Sequence, residues 1–197
     1  MEKKSMKEIV IINGHPNTNS FNTALAERYK EGAEQSGSTV QQIIVADLAF
    51  DPNLQYGYNR RIELEPDLRE AWKKIKAADH LVWVHPVWWG GFPAILKGFI
   101  DRLFLPGRAF RYRDDSVWWD RLLTGISARI ITTIDQPAWY YRLIYGSPSV
   151  KSLKRSVLKF CGVSPVSVNY IGSIRDSNEK DRKKWLKKVY HLGVNLK

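Results

Sequence analysis

The run from Leu81 to Phe104, LVWVHPVWWGGFPAILKGFIDRLF, constrains the fold more than any other part of the chain. Its first residues, Leu81 to Val84, are apolar at every position, a pattern typical of a strand covered on both faces of a parallel sheet. Gly90 and Gly91 then mark a loop, and Pro93 suits the first turn of a helix. Apolar residues recur at helical spacing after residue 94. The run therefore predicts a central parallel strand, a glycine-rich loop at its carboxyl end and a helix packed on the sheet.

The loop from Pro86 to Phe92 lies where a ligand is expected. In open α/β sheets ligands bind beyond the carboxyl ends of the strands, and glycine lets main chain lie against a flat molecule. Adjacent Trp88 and Trp89 cannot both enter one core if the backbone is extended. At least one should face a cleft or a partner chain, although ordinary packing is the alternative interpretation of the pair.

Strands and helices alternate along the whole chain, without internal repeats or low-complexity tracts. The predicted strands are Lys7 to Asn13, Val40 to Ala46, Leu81 to Val84, Ala128 to Ile134 and Val163 to Tyr170. The predicted helices are Phe21 to Ser36, Asp67 to Ala78, one from residue 94, Pro148 to Phe160 and Asp176 to Leu192. The segment from Arg108 to Gly125 is interpreted as an excursion over the active site or a dimer surface. Because crossovers between parallel strands are right-handed, we expect an α/β fold with a doubly wound five-stranded parallel sheet of order 2-1-3-4-5 and helices on both faces.

The first strand leads into a predicted anion site. Asn13-Gly14 ends the strand, and Ser20 stands at the N-cap position of the helix that opens at Phe21, so free N–H groups and the positive helix end meet there. Side chains that can add donors are His15, Thr18, Ser20 and Asn22. The alternative is that Ser20 only caps the helix and His15 is an ordinary loop residue.

Length and cysteine content favour a single intracellular domain. A chain of 197 residues is long enough for one well-buried α/β domain, so we expect residues 1–197 to form one domain, with a disordered start over residues 1–6. Cys161 has no partner for an internal disulfide, which favours the cytoplasm. No apolar run is long enough for a bilayer, and the start MEKKSMKE is too polar for a signal peptide.

Other chemistry has little support in the sequence. The four histidines show no metal-ligand spacing with each other or with Cys161, so no metal site is predicted. Neither Gly-x-Gly-x-x-Gly nor a Walker A sequence occurs, which argues against a separate dinucleotide-binding domain and against nucleotide hydrolysis.

Two motifs resemble a known family. The run PVWWGGFPAILKGFIDRLF is similar to the flavin-binding loop and following helix of the NAD(P)H:quinone oxidoreductases, the DT-diaphorase-like branch of the flavodoxin-like flavoproteins. The run IVIINGHPNTNSFN, Ile9 to Asn22, resembles the first strand and phosphate loop of the same family. Weaker similarity over Ile130 to Tyr140 and Leu158 to Pro165 extends the resemblance over most of the chain. It implies a flavodoxin-like fold.

The resemblance also implies roles for individual residues. The flavin phosphate would be held by His15, Ser20, Phe21 and Asn22, with Thr18 as a further donor. The isoalloxazine ring would be surrounded by Pro86, Val87, Trp88, Trp89 and Gly90, with main-chain N–H groups near its N5 and O4 atoms. Such donors stabilise negative charge on the ring.

A third segment departs from the family pattern. The best-known members have a Thr-Thr-Gly-Gly turn around the pyrimidine end of the flavin. This chain keeps Thr132 and Thr133 and continues with Ile134-Asp135-Gln136-Pro137, in which Asp135 can present an N–H through a side-chain bond. Tyr140 falls at the position of the family's active-site tyrosine. The partner histidine has no match, and Tyr145 stands nearest to it, so Tyr140 and Tyr145 are the candidate catalytic residues, with aromatic packing at a dimer interface as the alternative.

The resemblance implies an FMN- or FAD-dependent NAD(P)H:quinone oxidoreductase with a non-covalent flavin. NAD(P)H would be the co-substrate, and a quinone or a related nitro- or azo-aromatic compound would accept two electrons in ping-pong order. A homodimer is expected, because a second subunit would complete the aromatic walls and exclude water. The alternatives are a flavodoxin-type electron carrier and a regulatory subunit of a membrane transporter.

The formal charge of +11 raises other possibilities. Clustered Lys and Arg bind nucleic acid, but here the basic residues are spread out and no nucleic-acid motif occurs, so no nucleic-acid partner is predicted. A solvated basic surface is the simplest interpretation. Attraction of anionic substrates such as NADPH, or peripheral contact with an anionic membrane surface, are the alternatives.

Overall fold

The computed structural model describes residues 6–196. Residues 1–5, most of the expected disordered start, and Lys197 lie outside the described part. The strands are β1 (Glu8–Asn13), β2 (Thr39–Ile44), β3 (His80–Pro86), β4 (Phe110–Tyr112), β5 (Trp119–Arg121), β6 (Ser127–Thr133) and β7 (Val166–Ile171). The helices are α1 (Phe21–Gln35), α2 (Pro66–Ala77), α3 (Ala94–Leu103), α4 (Ala138–Leu143), α5 (Pro148–Lys151) and α6 (Glu179–Asn195), with a short 3-10 turn at Val45–Asp47.

Five of the strands form one parallel sheet in the order β2-β1-β3-β6-β7. Counted within the sheet this is 2-1-3-4-5, as predicted. The central strand β3 pairs with β1 on one side and with β6 on the other, so that Val84 lies opposite Asn13 and His85 opposite Thr132. The carboxyl ends of these three strands therefore meet at one edge of the sheet, and the loops that follow them are brought together.

Helices cover both faces of the sheet, and β3 shows why its sequence is apolar throughout. Leu81 and Trp83 belong to the core beneath α2 and α3, whereas Val82 and Val84 belong to the core beneath α1 and α6. All four side chains are fully buried. Burial of each such side chain contributes about 1.5 to 3 kcal/mol, so this strand anchors the loop that follows it. On the outer side of helix α3, Lys97 Nζ lies 2.6 Å from the Asp101 carboxylate.

Helix α1 is held by the last helix as well as by the sheet. A Cβ atom built on Gly32 would lie 2.1 Å from the carbonyl oxygen of Tyr190, and one built on Gly193 would lie 2.3 Å from that of Tyr29. Only glycine allows the two backbones to approach so closely. Because α1 begins at the predicted anion site, α6 helps to fix that site from behind.

The structure differs from the predicted elements in several places. Strand β7 begins at Val166 rather than Val163, since Pro165 has no N–H for a ladder. The last helix begins at Glu179 because Asn178 and Asp181 form a capping box. The single predicted helix from Pro148 divides into α5 and a π-helical stretch, Ser152–Lys159. The excursion after Arg108 contains a hairpin of β4 and β5.

Among residues 6–196, none of the helices combines the length and the apolar character needed to cross a bilayer.

Candidate active site

A cavity of about 720 Å³ opens at the carboxyl ends of β3 and β6. It is lined by Val87, Trp88, Trp89, Gly90, Asp135, Gln136, Tyr141, Tyr145 and Arg175. Six of these were predicted as site residues from the sequence: Val87, Trp88, Trp89, Gly90, Asp135 and Tyr145. The cavity thus lies beyond the carboxyl ends of parallel strands, where such folds bind ligands.

The loop after β3 lines this cavity and contains main-chain donors without a protein acceptor among the described residues. Trp88 and Gly91 exchange backbone hydrogen bonds of 3.1 and 2.8 Å, which turn the chain sharply. Within residues 6–196, the N–H groups of Trp89 and Gly90 inside this turn donate to no protein group. Gly90 has φ +76°, a conformation that favours glycine. Trp89 is fully exposed and Trp88 is half exposed, which confirms that this pair does not enter the core.

Tyr141 supports the loop from below and was missed by the sequence analysis. Its hydroxyl lies 2.6 Å from Ser149 Oγ, accepts the Ser149 N–H at 3.1 Å and approaches the Gly90 carbonyl at 3.5 Å. The side chain is buried, and burial raises the pKa of its hydroxyl while the bonds from Ser149 oppose that change. Tyr141 therefore ties the cavity loop to the start of α5 as a neutral hydroxyl. The sequence shows three aromatic residues in a row here, without indicating which one is buried.

The loop between β1 and α1 is closed by its own side chains. The Asn13 side chain accepts the His15 N–H at 3.1 Å, and the Asn17 side chain accepts the Asn19 N–H at 2.8 Å. Ser20 caps α1 by accepting the Thr23 N–H at 3.2 Å. The main-chain N–H groups without a protein acceptor among the described residues are those of Thr18, Ser20, Phe21 and Asn22. Unpaired amides at a helix N-terminus are a favourable environment for an anion.

His15 connects this loop to the cavity. Its Nδ1 lies 2.9 Å from the Asn17 N, whose N–H it accepts when unprotonated, and 3.1 Å from the Asn17 carbonyl oxygen, to which it donates when protonated. Partial burial lowers the pKa of His15, and the backbone bond to Asn17 only partly offsets this. The ring packs edge-on against Trp88 with centroids 5.6 Å apart. His15 thus lies between the predicted anion site and the aromatic loop.

Three predicted site residues, Asn22, Thr132 and Thr133, are buried. The side chains of Asn22 and Thr133 bond to each other at 3.1 and 3.2 Å, so Asn22 joins α1 to the sheet through its side chain. Thr132 is fully buried, and within the described residues its Oγ1 has no hydrogen-bond partner. Pro86, also buried, lies opposite Thr133 in the sheet, and its carbonyl accepts from His85 Nδ1 at 3.0 Å. Burial lowers the pKa of His85 to about 4.

The turn that departs from the family pattern is fixed by the segment after β7. Ser173 and Ile174 donate their N–H groups to Gln136 and Ile134 at 2.9 and 3.1 Å. The Asp135 carboxylate is exposed and accepts no hydrogen bond among residues 6–196, so the side-chain bond expected for an Asp-x-Pro turn is not formed there. Arg175, beside this turn, lines the cavity and adds a cation that the sequence analysis did not single out.

The two candidate catalytic tyrosines are adjacent but differently placed. Tyr145 lines the cavity and is half exposed, whereas Tyr140 is outside the lining. Their ring centroids are 5.6 Å apart. Of the remaining predicted residues, Thr18 is exposed, and Phe21 packs against Trp185 with Arg182 above its ring.

An apolar rim is formed by exposed side chains of the loop after β3 and of the segment around α4, three of which line the cavity. We use this name for the exposed side chains of Trp88, Trp89, Trp139, Leu143, Ile144 and Tyr145. Large apolar side chains exposed together are typical of an interaction surface. Within residues 6–196, no group of three or more His, Cys, Asp or Glu side chains has the arrangement of a metal site.

Comparison with known proteins identifies the family of this chain. The model of a family described as having a flavodoxin-like fold matches residues 7–191. An uncharacterized NAD(P)H oxidoreductase of Haemophilus influenzae is 29% identical, with 88% of each chain covered. NAD(P)H dehydrogenase [quinone] 1 of Rattus norvegicus is 26% identical, covering 86% of this chain and 70% of the relative.

Solved structures extend the likeness over nearly the whole chain. Smu.1420 from Streptococcus mutans is 34% identical, with a TM-score of 0.82 and 95% and 98% of the two chains covered. An NAD(P)H:quinone oxidoreductase from Methanothermobacter marburgensis is 25% identical, with a TM-score of 0.83 and 98% of each chain covered. The chain belongs to the flavodoxin-like family, in the branch whose relatives are NAD(P)H:quinone oxidoreductases.

Proposed function

We propose that this chain is a flavin-dependent NAD(P)H dehydrogenase (quinone), which transfers two electrons from NAD(P)H to a quinone or a related aromatic acceptor in ping-pong order. The observation that carries the proposal is the juxtaposition of two sets of unpaired main-chain donors. One set is at the start of α1 and the other is in the Trp88–Gly91 turn, and His15 joins them through Trp88.

This arrangement fits a flavin mononucleotide portion, which carries an anion at one end and a flat ring at the other. The amides of Thr18, Ser20, Phe21 and Asn22, with the imidazole ring of His15, match the phosphate. The amides of Trp89 and Gly90 match ring atoms that gain negative charge on reduction. A cavity of about 720 Å³ is large enough for a flavin ring and a second flat molecule beside it. The choice of FMN or FAD depends on contacts beyond this portion.

A bound flavin would supply a ring that accepts hydride from reduced nicotinamide and later passes two electrons to the acceptor. The residues of this chain would bind the flavin and orient it. Trp88 and Trp89 form flat walls, and the Trp89 and Gly90 N–H groups stabilise negative charge. Tyr141 holds the Gly90 carbonyl, so that these N–H groups keep their direction. Arg175 faces the same space and favours anionic substrates such as NAD(P)H.

Tyr145 and Tyr140 are proposed to act on charge or protons at the cavity mouth. Tyr145 lines the cavity, and Tyr140 contacts it ring to ring. In this proposal the hydroxyl of Tyr140 acts from beside the cavity, next to Tyr145. The other predicted contacts would lie around the edge of the flavin ring and come from Pro86, Val87, Thr132, Thr133 and Asp135. The names of the relatives support NAD(P)H as the electron donor and a quinone as the acceptor.

We further propose a homodimer of single-domain subunits in the cytoplasm. The apolar rim supports the dimer, because a second copy would cover these side chains and close the cavity to water. The buried free thiol of Cys161 is compatible with a reducing compartment. A peripheral contact of the same rim with a membrane is the competing use of this surface.

The test begins with the colour of the purified protein and the mass of the cofactor released from it. Stopped-flow reduction by NADH or NADPH, followed by steady-state oxidation with a soluble quinone, should give parallel double-reciprocal lines. A yellow protein that NAD(P)H does not reduce would contradict the proposal and favour an electron carrier or a transporter subunit. Sedimentation at several concentrations tests the dimer.

A further inference from the structure

A second cavity of about 630 Å³ lies between the start of α2, the segment that precedes it and the turn after α3. It is lined by Arg61, Ile62, Glu63, Leu64, Arg69, Trp72, Lys73, Gly107 and Arg108. We call it the α2 cavity. None of these residues lines the candidate active site, and the proposed function assigns no role to them.

Two guanidinium groups of the α2 cavity are oriented by main-chain oxygens rather than by acids. Arg61 Nη2 donates to the Pro106 carbonyl at 2.9 Å, and Arg108 Nη1 donates to the Arg102 carbonyl at 3.2 Å. A carbonyl positions a guanidinium without neutralising it, so the net charge and the other N–H donors of each group remain available. Partial burial and the positive charges of Arg61 and Arg102 lower the pKa of Arg108, which indicates an excess of cations around it.

The nearby carboxylates do not balance this charge. Glu65 is engaged with the buried Arg102 at 2.8 Å, and Glu70 pairs with Lys73 at 2.6 Å on the exposed side of α2. Within residues 6–196, Arg61, Arg69 and Arg108 form no salt bridge. Glu63 is the carboxylate in the lining, against four cations. The α2 cavity therefore carries a net positive charge inside a concave surface, the arrangement that attracts a phosphate group.

The other part of the lining is apolar and contains a flat ring. Trp72 is half-buried, and its ring packs edge-on against Phe104 with centroids 5.9 Å apart. Ile62 and Leu64 lie beside it in the lining. An anion alone would leave this apolar part unfilled. A ligand that bears both phosphate and a planar ring would use both parts of the cavity, because stacking on an aromatic side chain and cation contacts act together.

We propose that the α2 cavity is a second binding site, which takes a nucleoside polyphosphate, with its phosphates on Arg61 and Arg108 and its base against Trp72. The site is separate from the proposed flavin site, so its occupation does not depend on the redox reaction. Arg69 and Lys73, on the same face of α2, extend the positive surface toward a terminal phosphate.

The experiment is isothermal titration of the FMN-saturated, oxidised protein with ATP and, separately, with inorganic tripolyphosphate. Saturation with FMN keeps ATP out of the phosphate loop of α1. The Arg61→Gln/Arg108→Gln double variant should bind ATP about 30-fold or more weakly, since two charge-assisted contacts are lost. Quinone reduction by NAD(P)H should remain within about 2-fold of the wild type, because neither residue belongs to the active site.

The matched control changes the same net charge elsewhere. Arg142→Gln/Arg155→Gln removes two cations that line a different, smaller basic cleft, and it should leave ATP affinity within about 2-fold. Equal losses in the two double variants would show that overall charge attracts the nucleotide, and this would overturn the proposal.

The role of the ring is tested without any variant that might unfold. ATP should bind at least about 10-fold more tightly than tripolyphosphate at equal ionic strength, because only ATP can stack. Equal affinities would overturn the assignment of the base to Trp72. Failure of the proposed flavin function would appear instead as absent flavin reduction, with the ATP titration unchanged.

Discussion

The active-site cavity and the α2 cavity contain similar residue types but present different donors. Each has a tryptophan wall, an arginine and a glycine with positive φ, +76° at Gly90 and +74° at Gly107. In the candidate active site the proposed donors toward the ligand are main-chain N–H groups of a tight turn. In the α2 cavity they are guanidinium groups on long side chains.

This difference teaches how the two sites should respond to substitution. Main-chain donors have fixed directions and cost little entropy to order, which suits a rigid ring whose charge changes during a reaction. Guanidinium groups bring full charge but lose rotamer freedom on binding. Changes in backbone conformation should therefore damage the first site most, and changes in charge should damage the second site most.

The largest expected effect is from Gly90→Val compared with Gly107→Val. Both replacements force a β-branched residue to positive φ, so both should lower the free energy of unfolding by about 1 to 3 kcal/mol. A Cβ at Gly90 would lie 3.5 Å from Pro148, and one at Gly107 would lie 3.6 Å from Arg61 Nη2, so neither change is blocked by a severe clash. Gly90→Val should lose flavin, whereas Gly107→Val should keep it and bind ATP more weakly.

Flavin absorbance after gel filtration measures whether each variant keeps flavin, and thermal melts measure how far each variant is destabilised. A stable, fully yellow Gly90→Val protein would contradict the placement of the ring against this turn. Loss of flavin from both variants would remove the distinction between the two cavities.

The next effect concerns the anion site at the start of α1. His15→Ala together with Ser20→Ala should raise the flavin dissociation constant by at least about 100-fold, since each charge-assisted bond contributes on the order of 1.5 to 3 kcal/mol. The measurement is fluorescence titration with FMN. Thr23→Ser serves as the control. The Thr23 hydroxyl lies 3.1 Å from Ser20 Oγ, and a serine at this position can keep that contact. Unchanged FMN affinity in the double variant would mean that the phosphate is held elsewhere.

A somewhat smaller effect is expected from Tyr140→Phe. It should slow flavin reduction by NAD(P)H about 10- to 1000-fold while flavin content stays constant, because the hydroxyl is proposed to act on developing charge. Tyr145→Phe, at the cavity lining, is the informative comparison, and single-turnover stopped flow is the measurement. If only Tyr145→Phe is slow, the catalytic hydroxyl belongs to Tyr145 and Tyr140 is a packing residue. Normal rates in both variants would leave the pair without a chemical role.

The smallest predicted effect is the response of stability to pH. Burial lowers the pKa of His85, which lies beneath the active-site loop, to about 4. At the opposite end of β3, burial lowers the pKa of His80 to about 4 as well, and the positive charges of Arg129 and Lys7 add to that shift. Since the folded pKa lies below the unfolded value of about 6.5, the unfolded state binds more protons between these values. Stability is therefore complete above pH 6.5 and is lost as pH falls toward 4.

Between pH 6.5 and 5, the loss should be about 2 kcal/mol for each histidine. Urea unfolding of His85→Gln and His80→Gln at the two pH values should show a shallower dependence than in the wild type. The lining of the α2 cavity contains no histidine, so this pH effect should arise at β3 and beneath the active-site loop. A wild-type stability that does not change with pH would contradict the burial of neutral imidazoles.

The sequence predicted the sheet well because burial on both faces leaves a strong pattern. Strands such as β3 are apolar at every position, and Ser20 and Pro93 mark helix starts through local chemistry. The π-helical stretch and the hairpin of β4 and β5 were not predicted, because they depend on long-range packing. The same holds for Tyr141, whose burial depends on Ser149, and for Arg175, which reaches the cavity from the segment after β7. The α2 cavity unites residues far apart in sequence, so no local motif marks it.

The close approach of α1 and α6 at Gly32 and Gly193 has a consequence for folding during synthesis on the ribosome. Helix α1 leaves the ribosome early, but Gly32 can dock against Tyr190 only when the last helix of the described chain has been made. We therefore expect the proposed phosphate loop to lie on an incompletely anchored helix during most of synthesis. If the chain binds flavin as proposed, capture of the cofactor would be a late step in maturation, and damage to α6 would yield a colourless chain even where every proposed cofactor contact is intact.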